Sequence, residues 1–177
     1  IPDEITTHFT NTATDADIRR ALDQYGETAP SASGFAELAS LIASVDNGSH
    51  VVTERMIAWL QRDGEADSYR VSKLLENPMS WDQFTVRARR LLAHAESRQL
   101  VSDLICAREP MSWSGSRVPY LQASREEYAA WCDDADARLA ETGRAALNRF
   151  DQMIERERER EAREDDGWKW LRPASRS

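Results

Sequence analysis

Apolar residues recur at three- and four-residue steps along most of the chain, and this spacing predicts α-helices almost throughout. No alternating run of apolar and polar residues is long enough to predict a sheet. We therefore expect an all-α fold, a compact bundle of about five helices with a long protruding C-terminal helix. The predicted segments are a polar N-terminal arm over 1–13, the bundle over 14–122, the long helix over 123–166 and a Trp-containing tail over 167–177.

Capping residues and chain breakers indicate where the bundle helices begin and end. Thr14 is predicted to cap a first helix that ends at Gly26. Ser80 and Gln83 have the spacing of a capping box, which predicts the start of a fifth helix that continues to Ile105, straight or after a break near Ser97. The segment Pro110–Gln122 is rich in Ser, Gly and Pro and is predicted to be a loop. The three intervening helices are expected to end at Asn47-Gly48, Asp63-Gly64 and Asn77-Pro78.

The segment from Ser124 to Asp166 contains no Pro and a single Gly, Gly143, and it predicts one continuous helix of about 40 residues. Ser124 and Glu127 have the capping-box spacing at its start, and Gly167 is the predicted end. Such a helix is roughly 60 Å long, about twice the diameter of a small domain. It must therefore cross other subunits, dock a partner or project into solvent.

The long helix changes character at Ile154, because an apolar stripe precedes that residue and none follows it. Glu155–Glu164 alternates Glu with Arg, and we interpret it as a solvated helix end or, alternatively, as a charged zipper with another chain. The two Trp of the tail either fold back or anchor on another molecule. The residues predicted to contact a partner are Trp131, Leu139, Phe150, Trp168 and Trp170.

A row of basic residues lies on the polar side of the predicted fifth helix, with His94 inside it. A short helix, a connection through Asn77-Pro78-Met79 and an Arg-bearing second helix are compatible with helix-turn-helix geometry. Alternatively, the row forms ion pairs with the acidic first 50 residues or with the long helix. The candidate nucleic-acid contacts are Arg70, Lys73, Arg87, Arg89, Arg90 and Arg98.

Composition restricts the class of protein. A chain of 177 residues is expected to form one domain, and no apolar run approaches the length of a membrane span. Both Cys lie in predicted helices, and no secretory signal is visible, which favours a reducing, cytoplasmic compartment. The net charge of −8 disfavours bulk nucleic-acid binding, and only residues 51–108, with nine basic and eight acidic groups, have a basic balance.

Few residue patterns indicate chemistry. Asp133, Asp134 and Asp136 are interpreted as a solvated helix face, since no second acidic cluster is visible. His50 and Glu54 have metal-ligand spacing but no recognisable third ligand. The sequence Pro-Met-Ser-Trp occurs at 78–81 and again at 110–113. We interpret this repeat as coincidence or as reuse of a short sequence that ends one helix and starts the next. We predict no metal, no cofactor and no enzymatic activity.

The leading hypothesis is a non-enzymatic helical subunit or adaptor of a protein assembly, acting through its long C-terminal helix and Trp tail. Its partner is expected to be another protein or a second copy of the chain, with no membrane contact. The alternative hypothesis is a helix-turn-helix DNA-binding protein that uses the basic row on residues 80–98.

Overall fold

The computed structural model describes residues 13–26, 32–46, 48–62, 65–76, 79–95 and 97–171. All regular structure in these ranges is helical, which confirms the all-α class. The chain divides between Arg108 and Glu109 into two compact units. The α-helices are α1 Asp15–Ala21, α2 Ala32–Ala43, α3 His50–Arg62, α4 Glu65–Leu75, α5 Trp81–His94, α6 Arg98–Cys106, α7 Val118–Ala129 and α8 Ala137–Leu171. Most of the predicted arm, residues 1–12, lies outside the described residues.

Two predicted helix starts are confirmed by their hydrogen bonds. The Ser80 hydroxyl accepts from the amide of Gln83 at 3.3 Å, and the Gln83 side chain accepts from the Ser80 amide at 3.2 Å. Thr14 forms the same reciprocal pair with Asp17, at 3.4 and 2.9 Å. After α1 the chain continues as a π-helical turn over Leu22–Gly26.

The first unit contains six α-helices in its described residues, where about five were predicted. The additional helix arises because Ser97 caps α6, its hydroxyl accepting from the amides of Gln99 and Leu100 at 3.2 and 3.4 Å. Within this unit α3 packs against α1, α4 and α5. Trp59 of α3 is fully buried, with its ring edge-on to Phe35 at 5.7 Å.

The predicted continuous helix over 124–166 is wrong, because the chain turns between Ala130 and Asp136. The cause is local hydrogen bonding by the acidic cluster. The Asp136 carboxylate accepts from the amides of Arg138 and Leu139 at 3.0 and 3.3 Å, which satisfies donors at the start of α8. The Asp134 carboxylate accepts from the Asp136 amide at 2.9 Å. Two of the three acidic residues therefore shape a turn and do not form a solvated helix face.

Two further boundaries in the second unit differ from prediction. Helix α7 begins at Val118, inside the predicted loop Pro110–Gln122. Pro119 is tolerated there because backbone N–H groups in the first helical turn have no partner within the helix, so the N–H that proline lacks is not missed. Helix α8 does not end at Gly167 but continues to Leu171. Glycine lowers helix stability without preventing a helix, so its presence alone does not fix an end.

Helices α7 and α8 form an antiparallel hairpin whose core is aromatic. Tyr128 of α7 stacks on Phe150 of α8 with ring centroids 5.7 Å apart. The Trp131 ring meets Tyr128 edge-on at 5.0 Å, and all three side chains are buried. Arg125 and Asp151 form an ion pair at 2.6 Å across the hairpin. The turn at 130–136 thus allows Trp131 to close the hairpin core.

Gly143 allows the hairpin to close. A Cβ atom at this position would lie 2.8 Å from the Cβ of Trp131 and 3.1 Å from the amide nitrogen of Cys132. We expect Gly143→Ala to lower the free energy of unfolding by about 1–3 kcal/mol, the range for overpacking, although alanine normally favours a helix. Urea denaturation measures this change. The control Ala145→Gly, at an exposed position of the same helix, should cost about 1 kcal/mol from propensity alone. Stabilisation by Gly143→Ala would contradict the close contact.

Candidate interaction surface

Three of the residues predicted to contact a partner lie in the hairpin core. Trp131, Leu139 and Phe150 are at most 2% exposed. Their apolar spacing was interpreted as an interface, whereas all three side chains are buried within the chain, Phe150 against Tyr128 of α7. The interface prediction is therefore wrong for these three side chains in the folded hairpin, because none is accessible to another molecule.

Trp168 and Trp170 belong to the last turns of α8, which ends at Leu171. Their side chains lie outside the described part of the chain, as do residues 172–177. The prediction that this Trp pair contacts a partner stays a prediction.

The basic row on α5 is not a solvent-facing ridge, because Arg87 is 1% exposed. Its guanidinium donates to both carboxylate oxygens of Asp46, at 2.9 and 3.0 Å. Its Nε donates to the Thr53 hydroxyl at 3.1 Å, and a further bond reaches the Ser49 carbonyl at 3.4 Å. Arg87 thus ties α5 to the connection between α2 and α3, and the prediction that it contacts nucleic acid is wrong.

Several other candidate nucleic-acid contacts are engaged inside the first unit. Arg70 pairs with Asp67 at 2.6 Å and Lys73 with Glu76 at 2.8 Å, while Arg90 pairs with Glu54. Arg89 is half-buried and also interacts within the chain. Arg98 is exposed. The connection through Asn77 and Pro78 lies outside the described residues. Arg70, Lys73 and Arg90 are paired within the chain, as the alternative interpretation expects, but their partners lie outside both the first 50 residues and the long helix.

An exposed apolar cluster, which the sequence did not predict as a site, lies in and just after the segment that leads into α7. It consists of Met111, Trp113 and Tyr120, which are 88%, 43% and 43% exposed. The guanidinium of Arg117 lies over the Trp113 ring at 4.5 Å. The signal in the sequence was the repeated Pro-Met-Ser-Trp at 110–113, since aromatic side chains in exposed loops are frequent contact residues.

The acidic face of the second half of α8 begins beside this cluster. Glu157, Glu161 and Glu164 follow the spacing of one helix face. The Arg160 side chain pairs with Glu157 at 2.6 Å and with Glu164 at 2.5 Å. These hydrogen bonds and the charge of Arg117 hold the pKa of Glu157 below its usual range.

Two polar atoms at this junction are buried without a hydrogen-bond partner in the described structure. They are the Nε of Arg117 and the Oε1 of Glu161. Buried polar groups in folded proteins are nearly always satisfied, so an unsatisfied carboxylate oxygen marks a place where a donor is missing. One of the two atoms is an N–H donor and the other an acceptor, so they are chemically complementary.

Other candidate sites in the described residues are occupied by internal contacts. Glu54, predicted as a possible metal ligand with His50, instead pairs with Arg90. A shallow cleft between α1 and α3 contains Glu54 and Arg55, and Arg55 pairs with Asp23. In the described ranges no group of three His, Cys, Asp or Glu side chains could hold a metal. No helix in those ranges combines the length and apolar composition that crossing a bilayer requires.

The function of this chain has to be argued from its own contacts. In the described residues the large hydrophobic side chains left exposed are those of Val86, Met111, Trp113 and Tyr120. Comparison with protein families, with curated proteins and with solved structures finds no match to the chain.

Proposed function

We propose that this protein is a non-enzymatic subunit or adaptor of a protein assembly and that the second half of α8 is its attachment element. The observation that carries the proposal is the unequal length of the two hairpin helices. Helix α7 has 12 residues and α8 has 35, which correspond to about 18 and 52 Å. Most of the stability of helices in proteins comes from packing against other elements, so the part of α8 that extends beyond α7 would gain stability from a partner.

The pairing across the hairpin indicates where α8 leaves α7. Arg125 pairs with Asp151, and α7 begins seven residues before Arg125, at Val118. Seven residues span about 10 Å, so α7 reaches along α8 to the region of Arg158. Ile154 is the last buried side chain among those described in α8. The remaining turns to Leu171 therefore have no helix of the hairpin alongside them.

The proposal is tested by the native mass of the chain in extracts of its own cells. We expect the full chain to migrate well above its monomer mass of 20.1 kDa and a chain ending at Arg158 to migrate as a monomer. The shortened chain retains the hairpin core, with Tyr128 stacked on Phe150 and Arg125 paired with Asp151, so the hairpin should stay folded. As a matched control, a chain ending at Leu171 should keep the full-length mass.

The contribution of the Trp pair is tested in the same experiment. The double variant Trp168→Ala/Trp170→Ala should lower the native mass as the shortened chain does, because Trp residues often dominate binding energy. If the full chain and the chain ending at Arg158 have the same native mass, the proposed function is wrong.

A further inference from the structure

We infer that the cleft between α1 and α3 is a binding site for a small phosphate monoester that carries an apolar group. This inference goes beyond the proposed function, because the cleft lies in the first unit and the attachment element lies in the second. The cleft has a volume of about 180 Å³. The side chains that line it are those of Arg19, Leu22, Val51, Glu54, Arg55 and Ala58.

The cleft is built where one face of α3 packs against α1. Its four residues from α3 stand at positions i, i+3, i+4 and i+7, which is the spacing of a single helix face. Arg19 lies on α1, and Leu22, three residues later, begins the π-helical turn that follows this helix. Such turns are rare and occur frequently at functional sites. The wall of the cleft thus departs from regular helix geometry at Leu22.

The floor of the cleft is apolar and small. Leu22, Val51 and Ala58 supply its apolar surface, and the first two are almost completely buried. Pockets for drug-sized ligands have volumes of roughly 300–1,000 Å³, so a cleft of about 180 Å³ suits a smaller molecule. We therefore expect the apolar group of the ligand to be no larger than one ring or a short alkyl chain.

The charge of Arg19 selects an anionic ligand. The other two charged side chains of the cleft are paired, Arg55 with Asp23 and Glu54 with Arg90. The Arg19 side chain is exposed, and within the described residues it forms no hydrogen bond or ion pair. Its positive charge therefore has no carboxylate partner in the described part of the chain, and it is accessible to an anion that enters the cleft.

Positive charge is concentrated beside Arg19. Burial, followed by repulsion from Arg62 and Arg19, lowers the pKa of the Arg55 guanidinium. An anion bound at Arg19 would offset this repulsion. A phosphate monoester carries a charge of about −1.5 to −2 at pH 7 and three strong acceptor oxygens, so it compensates neighbouring guanidiniums better than a singly charged carboxylate does. The cleft therefore fits a phosphate monoester better than a carboxylic acid.

The test uses phenyl phosphate as the probe, added to the isotope-labelled full chain in about 0.15 M salt, which screens non-specific attraction. We expect the amide signals of Arg19, Val51 and Ala58 to shift in two-dimensional NMR spectra, with a Kd below about 1 mM. Inorganic phosphate and phenol each have only one part of the probe and should bind at least about tenfold more weakly. Absence of shifts up to about 10 mM phenyl phosphate would overturn the inference.

Two neighbouring arginines provide a matched pair of variants. Arg19→Gln should weaken phenyl phosphate binding at least about tenfold, because it removes the charged donor that pairs with the phosphate. Arg20 is also exposed on α1 but does not line the cleft, so Arg20→Gln should change the affinity less than about twofold. Equal losses in both variants would overturn the inference, since binding would then depend only on the general charge of the helix.

A second variant tests the opposite wall of the cleft. Ala58→Glu should weaken phenyl phosphate binding at least about tenfold, because it places a carboxylate beside the phosphate. Ala58 is exposed, so its replacement should have little effect on folding, which circular dichroism checks. Unchanged affinity in Ala58→Glu would overturn the inference.

A phosphotyrosine peptide distinguishes the source of the ligand. It presents the same ring and phosphate as the probe but attaches them to a protein chain. Binding equal to or weaker than that of phenyl phosphate supports a small-molecule ligand. Binding more than about tenfold tighter would mean that the cleft recognises a modified protein, and the small-molecule inference would be wrong.

Discussion

Replacement of Arg87 by methionine is expected to lower the free energy of unfolding by about 3–5 kcal/mol, the range for removing one partner of a buried ion pair. The Asp46 side chain is 0% exposed, so without Arg87 its carboxylate would remain buried with one hydrogen bond, from the Ser49 amide at 2.7 Å. The Thr53 hydroxyl would also lose a donor. Urea denaturation followed by circular dichroism measures the change in unfolding free energy.

Two controls separate the ion pair from the loss of a long side chain. Arg98→Met, at an exposed position, should change the unfolding free energy by less than about 0.5 kcal/mol. The double variant Asp46→Leu/Arg87→Met should recover much of the loss, because apolar residues can replace a buried ion pair without leaving a lone charge. A loss below about 1 kcal/mol in Arg87→Met would contradict the contacts described for Asp46.

The prediction that the basic row contacts nucleic acid was wrong because helical spacing does not reveal whether Arg87 is exposed or buried. Arg87, Arg90 and His94 follow helical spacing, and that spacing is the same for an exposed ridge and for a row in which one residue is buried. Burial of Arg87 depends on Asp46, which lies 41 residues earlier in the chain. Spacing within one helix contains no information about such a distant partner. The sequence did offer pairing with the acidic first 50 residues as an alternative, and Arg87 follows it.

Local signals predicted most of the bundle, whereas the hairpin depended on tertiary contacts. Ser80 and Gln83 form their predicted box because both groups lie within one turn. The turn at 130–136 contains neither Gly nor Pro, so no chain breaker indicates an interruption of the helix there. The hydrogen bonds of Asp134 and Asp136 shape this turn locally, and the packing of Trp131 against Gly143 adds a contact that exists only once α8 folds back.

The two Pro-Met-Ser-Trp copies show how one flanking residue decides the local structure. Three residues after Ser80 stands Gln83, which completes a capping box and begins α5. Three residues after Ser112 stands Gly115, which has no side chain to complete a box and adopts a φ of +74°. Trp81 is consequently half-buried, with Arg108 over its ring, whereas Trp113 remains in an exposed segment. The sequence predicted the loop but not its exposed apolar cluster.

Trp131→Ala is expected to lower the free energy of unfolding by about 3–5 kcal/mol, the range for truncating a buried aromatic side chain. The Trp131 ring is 2% exposed and closes the hairpin core beside Tyr128, so its removal leaves a large cavity at the turn. Because α8 is the longest helix described, the loss should appear as an early decrease in helicity during urea denaturation.

Trp113→Ala is the matched control, since it removes the same side chain from an exposed position 18 residues earlier. It should lower the unfolding free energy by less than about 1 kcal/mol, because surface substitutions have small effects. The two Trp variants should therefore differ in stability, with Trp131→Ala losing it and Trp113→Ala retaining it. If Trp131→Ala retained full stability, Trp131 would not be a core residue, and its original interpretation as a partner contact would have to be restored.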